Sequence, residues 1–267
     1  MWIDTHCHLD AHEFGAEARA LAKSAGGQGV EMIVIPAVER GNFATVAALA
    51  AQVDNASYAL GIHPIYVPQA TEDDLAALRE AVAAAMSDKR FVAIGEIGLD
   101  FFLPQLNEPT MRAKQEHFLR EQLKIARDFG LPVLLHVRRS QDVVYKHLRQ
   151  IRPNGGIAHA FNGSFQQAQG YIDLGFKLGF GGAMTFTRAL QIRRLAAELP
   201  LSAIVLETDA PDIAPSWIHP GRNSPEQLPR IGAVLAELRG IGLDEAATVT
   251  SANARAALPR LTISLLE

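Results

Sequence analysis

Near its start the chain carries two histidines one residue apart, His6 and His8. In extended backbone, positions i and i+2 face the same side, so both imidazoles can grip one cation. Side chains of the same chemical kind recur further on, at Glu96, His136, His159 and Asp209. Imidazole nitrogen with carboxylate oxygen suits zinc, and also manganese or iron. A carboxylate such as Glu96 can bridge two cations with its two oxygens. Two cations about 3.5–4 Å apart would bring the pKa of a bound water towards about 7 and stabilise an oxyanion or a phosphoryl oxygen. The chemistry expected is hydrolysis by a metal-bound hydroxide. Asp209 is placed to ligate and to take the proton from that water, so Glu96 and Asp209 are the catalytic candidates. Singly, each residue has a plainer explanation: His136 and His159 are of a type that often serves as a hydrogen-bonded core histidine. Glu96 and Asp209 sit in apolar stretches, where an unpaired carboxylate is costly and calls for a cation or donors.

Such residues need elements that converge them. Short β-rich runs are read at Trp2–His6, Glu31–Pro36, Tyr58–His63, Phe91–Ile97, Val133–Val137, Gly156–Phe161, Phe176–Gly181 and Ala203–Asp209. Cores such as Met32-Ile-Val-Ile35 are continuously apolar, as in parallel strands covered on both faces. Helices fill the gaps. Thr71 with Asp74 forms a capping signal, followed by Leu75, Leu78, Val82 and Met86 at helical spacing. Another helix carries Phe118, Leu119, Leu123 and Ala126 and ends at Gly130 and Pro132. Late helices follow Pro225 and Asp244. The alternation predicts a single α/β domain over residues 1–267, a TIM-type (β/α)8 barrel. A doubly wound open sheet would be favoured by a Gly-rich loop after the first strand, and there is none. Barrel enzymes place reactive side chains at the C-terminal strand ends. His6, His8, His63, His136 and His159, five of the nine histidines, fall at such ends with Glu96 and Asp209.

Other positions are read more openly. Arg138 follows the fifth strand and is either a solvated cation or a fork for a substrate phosphate or carboxylate. His63, before Pro64, fits a substrate contact or a structural role equally. Cys7 should face away from its histidine neighbours and pack. Glu207 shares the parity of Asp209 and could orient a ligand or lie in an internal ion pair, while Asp4 lies deeper. Asp100 and Asp212 are candidate loop caps, Trp217 and His219 could shape the pocket rim, and Gly179, Gly181 and Gly182 would let backbone pack closely.

Hydrophobic residues make up 48% and charged residues 20%, the balance of a globular domain. A net charge of −4 argues against a broad basic surface gripping a long polyanion, though not against a local phosphate seat. The single cysteine excludes an internal disulfide. The opening Met-Trp-Ile-Asp-Thr-His has no leader pattern and no run is long enough to span a membrane, so a cytoplasmic protein without membrane contact is expected.

The motifs together resemble the TatD-related metal-dependent hydrolase (deoxyribonuclease) family of amidohydrolase-like barrels. The matching segments are Ile3-Asp-Thr-His-Cys-His-Leu-Asp10, Gly61-Ile-His-Pro64, Gly95-Glu-Ile-Gly-Leu-Asp100, Leu131-Pro-Val-Leu-Leu-His-Val-Arg138, His159-Ala-Phe-Asn-Gly-Ser164 and Leu206-Glu-Thr-Asp-Ala-Pro211, with Asn253 resembling a family Asn. The resemblance implies that His6, His8, Glu96 and Asp209 hold one metal and that Glu96, His136 and His159 hold a second. The ions would be magnesium, manganese or zinc, and Arg138 and His63 are the substrate-binding candidates. It implies a deoxyribonuclease acting near strand ends, with single-stranded DNA or a strand end as partner, and a monomer is expected. The alternative is a small-molecule amidohydrolase, lactonase or phosphoesterase acting on a small phosphate or carboxylate substrate; a barrel kept for binding alone has no need of an open two-metal site. Val137, Asn162 and Phe101-Phe102 depart from common family residues. Asp212-Ile-Ala-Pro215 and Asn223-Ser-Pro-Glu226 look closer to an uncharacterised branch than to the founding nuclease.

Overall fold

The computed structural model describes residues 1–261; the domain expected over 1–267 also takes in residues 262–267, which lie outside the described residues. Eight parallel strands form one sheet in chain order. They are β1 (Trp2–Asp4), β2 (Val30–Pro36), β3 (Ala56–Leu60), β4 (Phe91–Asp100), β5 (Val133–Arg138), β6 (Gly156–Ala158), β7 (Phe176–Phe180) and β8 (Ile204–Leu206). Between consecutive strands run α1 (Ala18–Gly27), α2 (Phe43–Gln52), α3 (Glu72–Ala85), α4 (Pro109–Asp128), α5 (Gln141–Ile151), α6 (Phe165–Asp173) and α7 (Leu190–Glu198). Helices α8 (Leu228–Arg239) and α9 (Leu243–Ala257) follow β8. This is the β/α barrel that the alternation predicts. No helix among the described residues is long and apolar enough to cross a membrane.

Both faces of the strands are buried, which is why their sequences are nearly unbroken in apolar residues. Ile33, Ile35, Leu135 and Leu206 pack outward against the helices, while Ile3, Val34, Leu134, Ile157 and Val205 fill the barrel. At α3 the Thr71 amide and hydroxyl both donate to Asp74 Oδ2, at 2.8 and 3.2 Å, so the shorter acid closes the box. Gly130, at φ +67°, takes the left-handed conformation that ends α4.

The first and last strands close the ring beyond their regular ladders. Thr5 N–H donates to Leu206 O at 3.1 Å, Asp209 N–H to His6 O at 2.8 Å and His8 N–H to Ala210 O at 2.8 Å. Asp4 clamps the same seam, accepting from the Thr208 amide at 2.9 Å and the Thr208 hydroxyl at 2.6 Å. At the opposite end the chain after α9 passes under the sheet. Ala254, Ala257, Leu258 and Leu261 join the inner cluster. Arg260 donates to the carbonyls of Phe91, Met86 and Asp88 at 2.7, 2.9 and 2.9 Å, near the entry to β4.

Strand limits differ from expectation where it matters for chemistry. Regular pairing stops at Asp4, Leu60, Ala158, Phe180 and Leu206, short of His6, His63, Phe161, Gly181 and Asp209. Here the chain leaves the ladder to turn into the barrel mouth. It bends at Thr5 and adopts positive φ at Ala160 (44°) and Asp209 (55°). Strand β4 instead runs past Ile97 to Asp100.

Candidate metal centre

Local irregularities aim several of the polar side chains at the mouth. Ile3 packs inside the barrel and Cys7 in the outer core, so the alternation changes phase across the bend at Thr5. That change turns His6 and His8 inward and buries Cys7 completely, in the packing role expected of it. In β4 the register against β5 slips between Ile94 and Ile97, three steps against the two from Val133 to Leu135. Glu96 lies in this bulge, a device that re-aims a side chain.

The resulting spacing is regular. His6 Nε2 and His8 Nε2 are 3.3 Å apart, and each is 3.7 Å from Asp209 Oδ1. Glu96 Oε2 lies 3.1 Å from the first and 3.4 Å from the second. Corners of a tetrahedron with bonds of about 2.0–2.1 Å are about 3.4 Å apart. His6 and His8 are therefore spaced, with Asp209 and again with Glu96, as ligands around one cation. The other oxygen, Glu96 Oε1, is 3.0 Å from His136 Nδ1 and 2.9 Å from His159 Nε2, which are 3.4 Å from each other. One carboxylate thus presents one oxygen to each of two groups. The rings of His6 and His159 stack between them at 4.0 Å. Three clusters, His6/His8/Asp209, His6/Glu96/His159 and His63/Glu96/His136, each bring their ligand atoms within 4.8 Å of one another and could hold a metal ion.

The electrostatics follow from burying acids among imidazoles. Burial pushes the Asp209 carboxyl up to about 6, against the pull of His159 and His8. Burial acts in the same direction on Glu96, but His63, His159 and His6 and the bond to His136 hold it well below the usual carboxylate range. Burial and the neighbouring His159 drop His6 to about 3. For His8 burial is outweighed by Glu96 and Asp209, and it rises to about 9. His136 and His159 are also raised, burial being outweighed by Asp100 and Glu96 for the first and by Glu96 and Glu207 for the second. The carboxylates create a demand for positive charge that protons or cations can meet.

A further layer holds the imidazoles in place. Asp100 Oδ1 accepts from Phe102 N–H at 2.8 Å and Leu103 N–H at 3.2 Å, the expected loop cap, while its Oδ2 lies 3.1 Å from His136 Nε2. Glu207 Oε1 accepts from Ala160 N–H at 2.5 Å and lies 3.6 Å from His159 Nδ1, an ion-pair distance from a candidate ligand. Gly179 makes room for it, since a Cβ there would sit 2.1 Å from Glu207 Oε2. Burial pushes the Asp4 carboxyl up to about 7 as it pins Thr208 beside Asp209. His63 Nδ1 accepts from Ile65 N–H at 3.1 Å, so the neutral ring carries its hydrogen on Nε2, 3.3 Å from Glu96 Oε1. Burial lowers His63 to about 4, which keeps the ring in that neutral form. His63 is a member of the cluster, facing it as a donor.

These groups floor a cleft of about 1080 Å³. Its lip is polarised, with Asp10, Glu13 and Glu39 after β1 and β2 and with Arg138 and Arg139 at the end of β5. Arg138 is half exposed, lies 3.8 Å over the Phe102 ring and reaches within 3.8 Å of Asp100 Oδ2. Trp217 does not shape this rim as expected. Gln227 accepts its Nε1–H at 2.8 Å and Arg230 covers its ring at 4.1 Å, drawing the indole away. His219 lines a neighbouring groove. At Asp212 the backbone carbonyl, not the side chain, ties the loop by accepting from Asn223 Nδ2 at 2.9 Å.

The sequence model of the family described as TatD related DNase matches residues 3–259. A relative from Escherichia coli K12, the uncharacterized metal-dependent hydrolase YjjV, is 41% identical over 247 residues, 92% of this chain and 93% of its own length. An uncharacterized metal-dependent hydrolase from Haemophilus influenzae is 37% identical over 242 residues, 89% of this chain and 92% of its own. The crystal structure of YjjV, described as a TatD homolog, superposes with a TM-score of 0.90 at 39% identity, covering 97% of this chain and 98% of that one.

Proposed function

The chain belongs to the TatD-related DNase family, whose relatives are metal-dependent hydrolases, and from that premise we propose that it cleaves phosphodiester bonds near the ends of DNA strands. The observation that carries the proposal is the sharing of Glu96, one oxygen to His6 and His8 and the other to His136 and His159. His6, His8, Glu96 and Asp209 would hold one divalent cation, and Glu96, His136 and His159 the second. Zinc, magnesium and manganese are all compatible with these donors. Bound there, the pair supplies Lewis acidity towards a phosphoryl oxygen and a water acidic enough to attack at neutral pH. Asp209 faces His6 and His8 through Oδ1, and its Oδ2 takes the proton released on attack. His63 donates from Nε2 to a substrate oxygen, and Arg138 forks onto the phosphate from the β5 lip.

The acidic lip favours a second reading. Asp10, Glu13 and Glu39 would repel a polyanion and accept from the N–H of an amide, which suits a small-molecule amidohydrolase; the same two-metal site would serve a lactonase or phosphoesterase. Parallel assays separate the two. Protein loaded in turn with zinc, magnesium and manganese is given end-labelled single-stranded DNA and a panel of lactones, cyclic amides and small phosphate esters. The nuclease reading expects trimming of labelled ends that stops with EDTA and with His136→Ala. DNA left intact while a small substrate turns over would replace it with the second reading.

A further inference from the structure

A groove of about 710 Å³ opens from the cleft between the segments that follow β7 and β8, sharing Glu13, Ala183, Pro211, Asp212 and Ile213 with the cleft wall. Its far side is formed by Phe186, Arg188 and His219. The Phe186 and His219 rings meet at 84° with centroids 5.4 Å apart, so they make an aromatic corner. Arg188 is exposed, with its guanidinium 5.9 Å from the Phe186 centroid.

The charge on the groove walls is balanced. Arg188 and Arg222 stand against Glu13 and Asp212, and Arg222 is tied to the Glu13 carbonyl at 2.5 Å and the Glu17 carboxylate at 2.7 Å. The groove therefore has little pull on a phosphate, in contrast with the Arg138 and Arg139 lip. An uncharged planar group suits it better, and its volume falls in the range of about 300–1,000 Å³ that holds a drug-sized ligand such as a nucleoside. Across the cleft, Asp10 and Glu39 bar a DNA strand from leaving over the β1 and β2 side.

We infer that this groove is a nucleoside subsite: with the scissile phosphate over Glu96, the adjoining base stacks in the Phe186–His219 corner and Arg188 flanks its sugar–phosphate edge. The inference rests on the nuclease reading above and adds where the strand lies. Stacking on an aromatic face is tolerant of base identity, so the subsite selects for a base and not for a sequence.

The test measures binding apart from cleavage. Metal-loaded protein is titrated into a fluorescent phosphorothioate oligothymidylate, which resists hydrolysis, and anisotropy is followed. The double variant Phe186→Ala/His219→Ala is expected to raise Kd about tenfold or more, and Phe186→Trp to stay close to the parent. The ratio of kcat/KM on oligothymidylate to that on bis(p-nitrophenyl) phosphate should fall by a similar factor in the double variant. Circular dichroism and the Phe186→Trp protein guard against a loss that is merely unfolding. A parent that does not bind the oligonucleotide, or a double variant that binds within twofold of it, overturns the subsite. Binding through the corner without cleavage under any metal would sink the nuclease reading and leave the subsite standing. Cleavage with binding unaffected by the variants would do the reverse.

Discussion

At the foot of the barrel Leu258 and Leu261 close against Ile3, Met32 and Leu134, whereas at its mouth the same barrel brings together His6, Glu96, His136 and Asp209. Both ends are buried, but they are held by different forces. The foot removes apolar surface from water and asks nothing of the solvent. The mouth takes carboxylates and imidazoles out of water, which is unfavourable unless each charge finds a partner. Stability is thus concentrated at one end, leaving the other to accept a costly arrangement for the sake of reactivity.

The separation can be broken from either side. Glu96→Ala should have the largest effect, because one substitution removes a corner from both groups. We expect kcat/KM of the metal-loaded protein to fall about 10³-fold or more, beyond the loss of about 10²–10³ for a single oxyanion donor. Metal content by plasma mass spectrometry should fall with it; full activity would mean that the shared oxygen spacing is incidental. Next, Leu258→Ala should lower unfolding free energy by about 2–5 kcal/mol in urea titration. Its kcat/KM per folded molecule should stay within twofold, and a parallel loss would show that the two ends are coupled.

Smaller changes sharpen the picture of the mouth. Asp100→Asn weakens the hold on His136 and should cost about 10–100-fold in metal affinity by calorimetry. An unchanged affinity would reduce that contact to packing. The last prediction concerns pH. His8 is raised to about 9, and His136 and His159 are raised as well, so towards lower pH the rings carry protons that a cation must displace. Metal affinity should therefore rise with pH, by at most about tenfold per unit for each proton displaced, and the part due to His8 should level off above about pH 9. The destabilisation by Leu258→Ala, which involves no titrating group, should show no such slope.

The barrel was legible because its strands and helices repeat with different periods, and because candidate ligands recur where strands should end. His6, His8, Glu96, His136, His159 and Asp209 could be named from those ends, and the structure brings them to one mouth. What could not be read depends on contacts between distant segments. The bend at Thr5 and the bulge at Glu96 are settled by neighbouring strands. The hydrogen on His63 is placed by the Ile65 amide. Asp100 reads as a loop cap, but its hold on His136 spans two strands. The seat of Glu207 exists because Gly179, on another strand, has no side chain. Trp217 was misjudged because Gln227 captures its indole.

The seam between β1 and β8 has a consequence in time. Asp4 and Thr208 are 204 positions apart, and Arg260 reaches carbonyls 169 to 174 positions away. Neighbouring strands can pair as they leave the ribosome, since each crossover is far shorter than the span that closes the ring. The ring and its floor must wait for Thr208 and Arg260. A nascent or truncated product can carry Glu96, His136 and His159 and still lack Asp209 and the strand that holds it. The candidate centre is therefore completed only once β8 and Asp209 have been made, after most of the barrel wall is already in place.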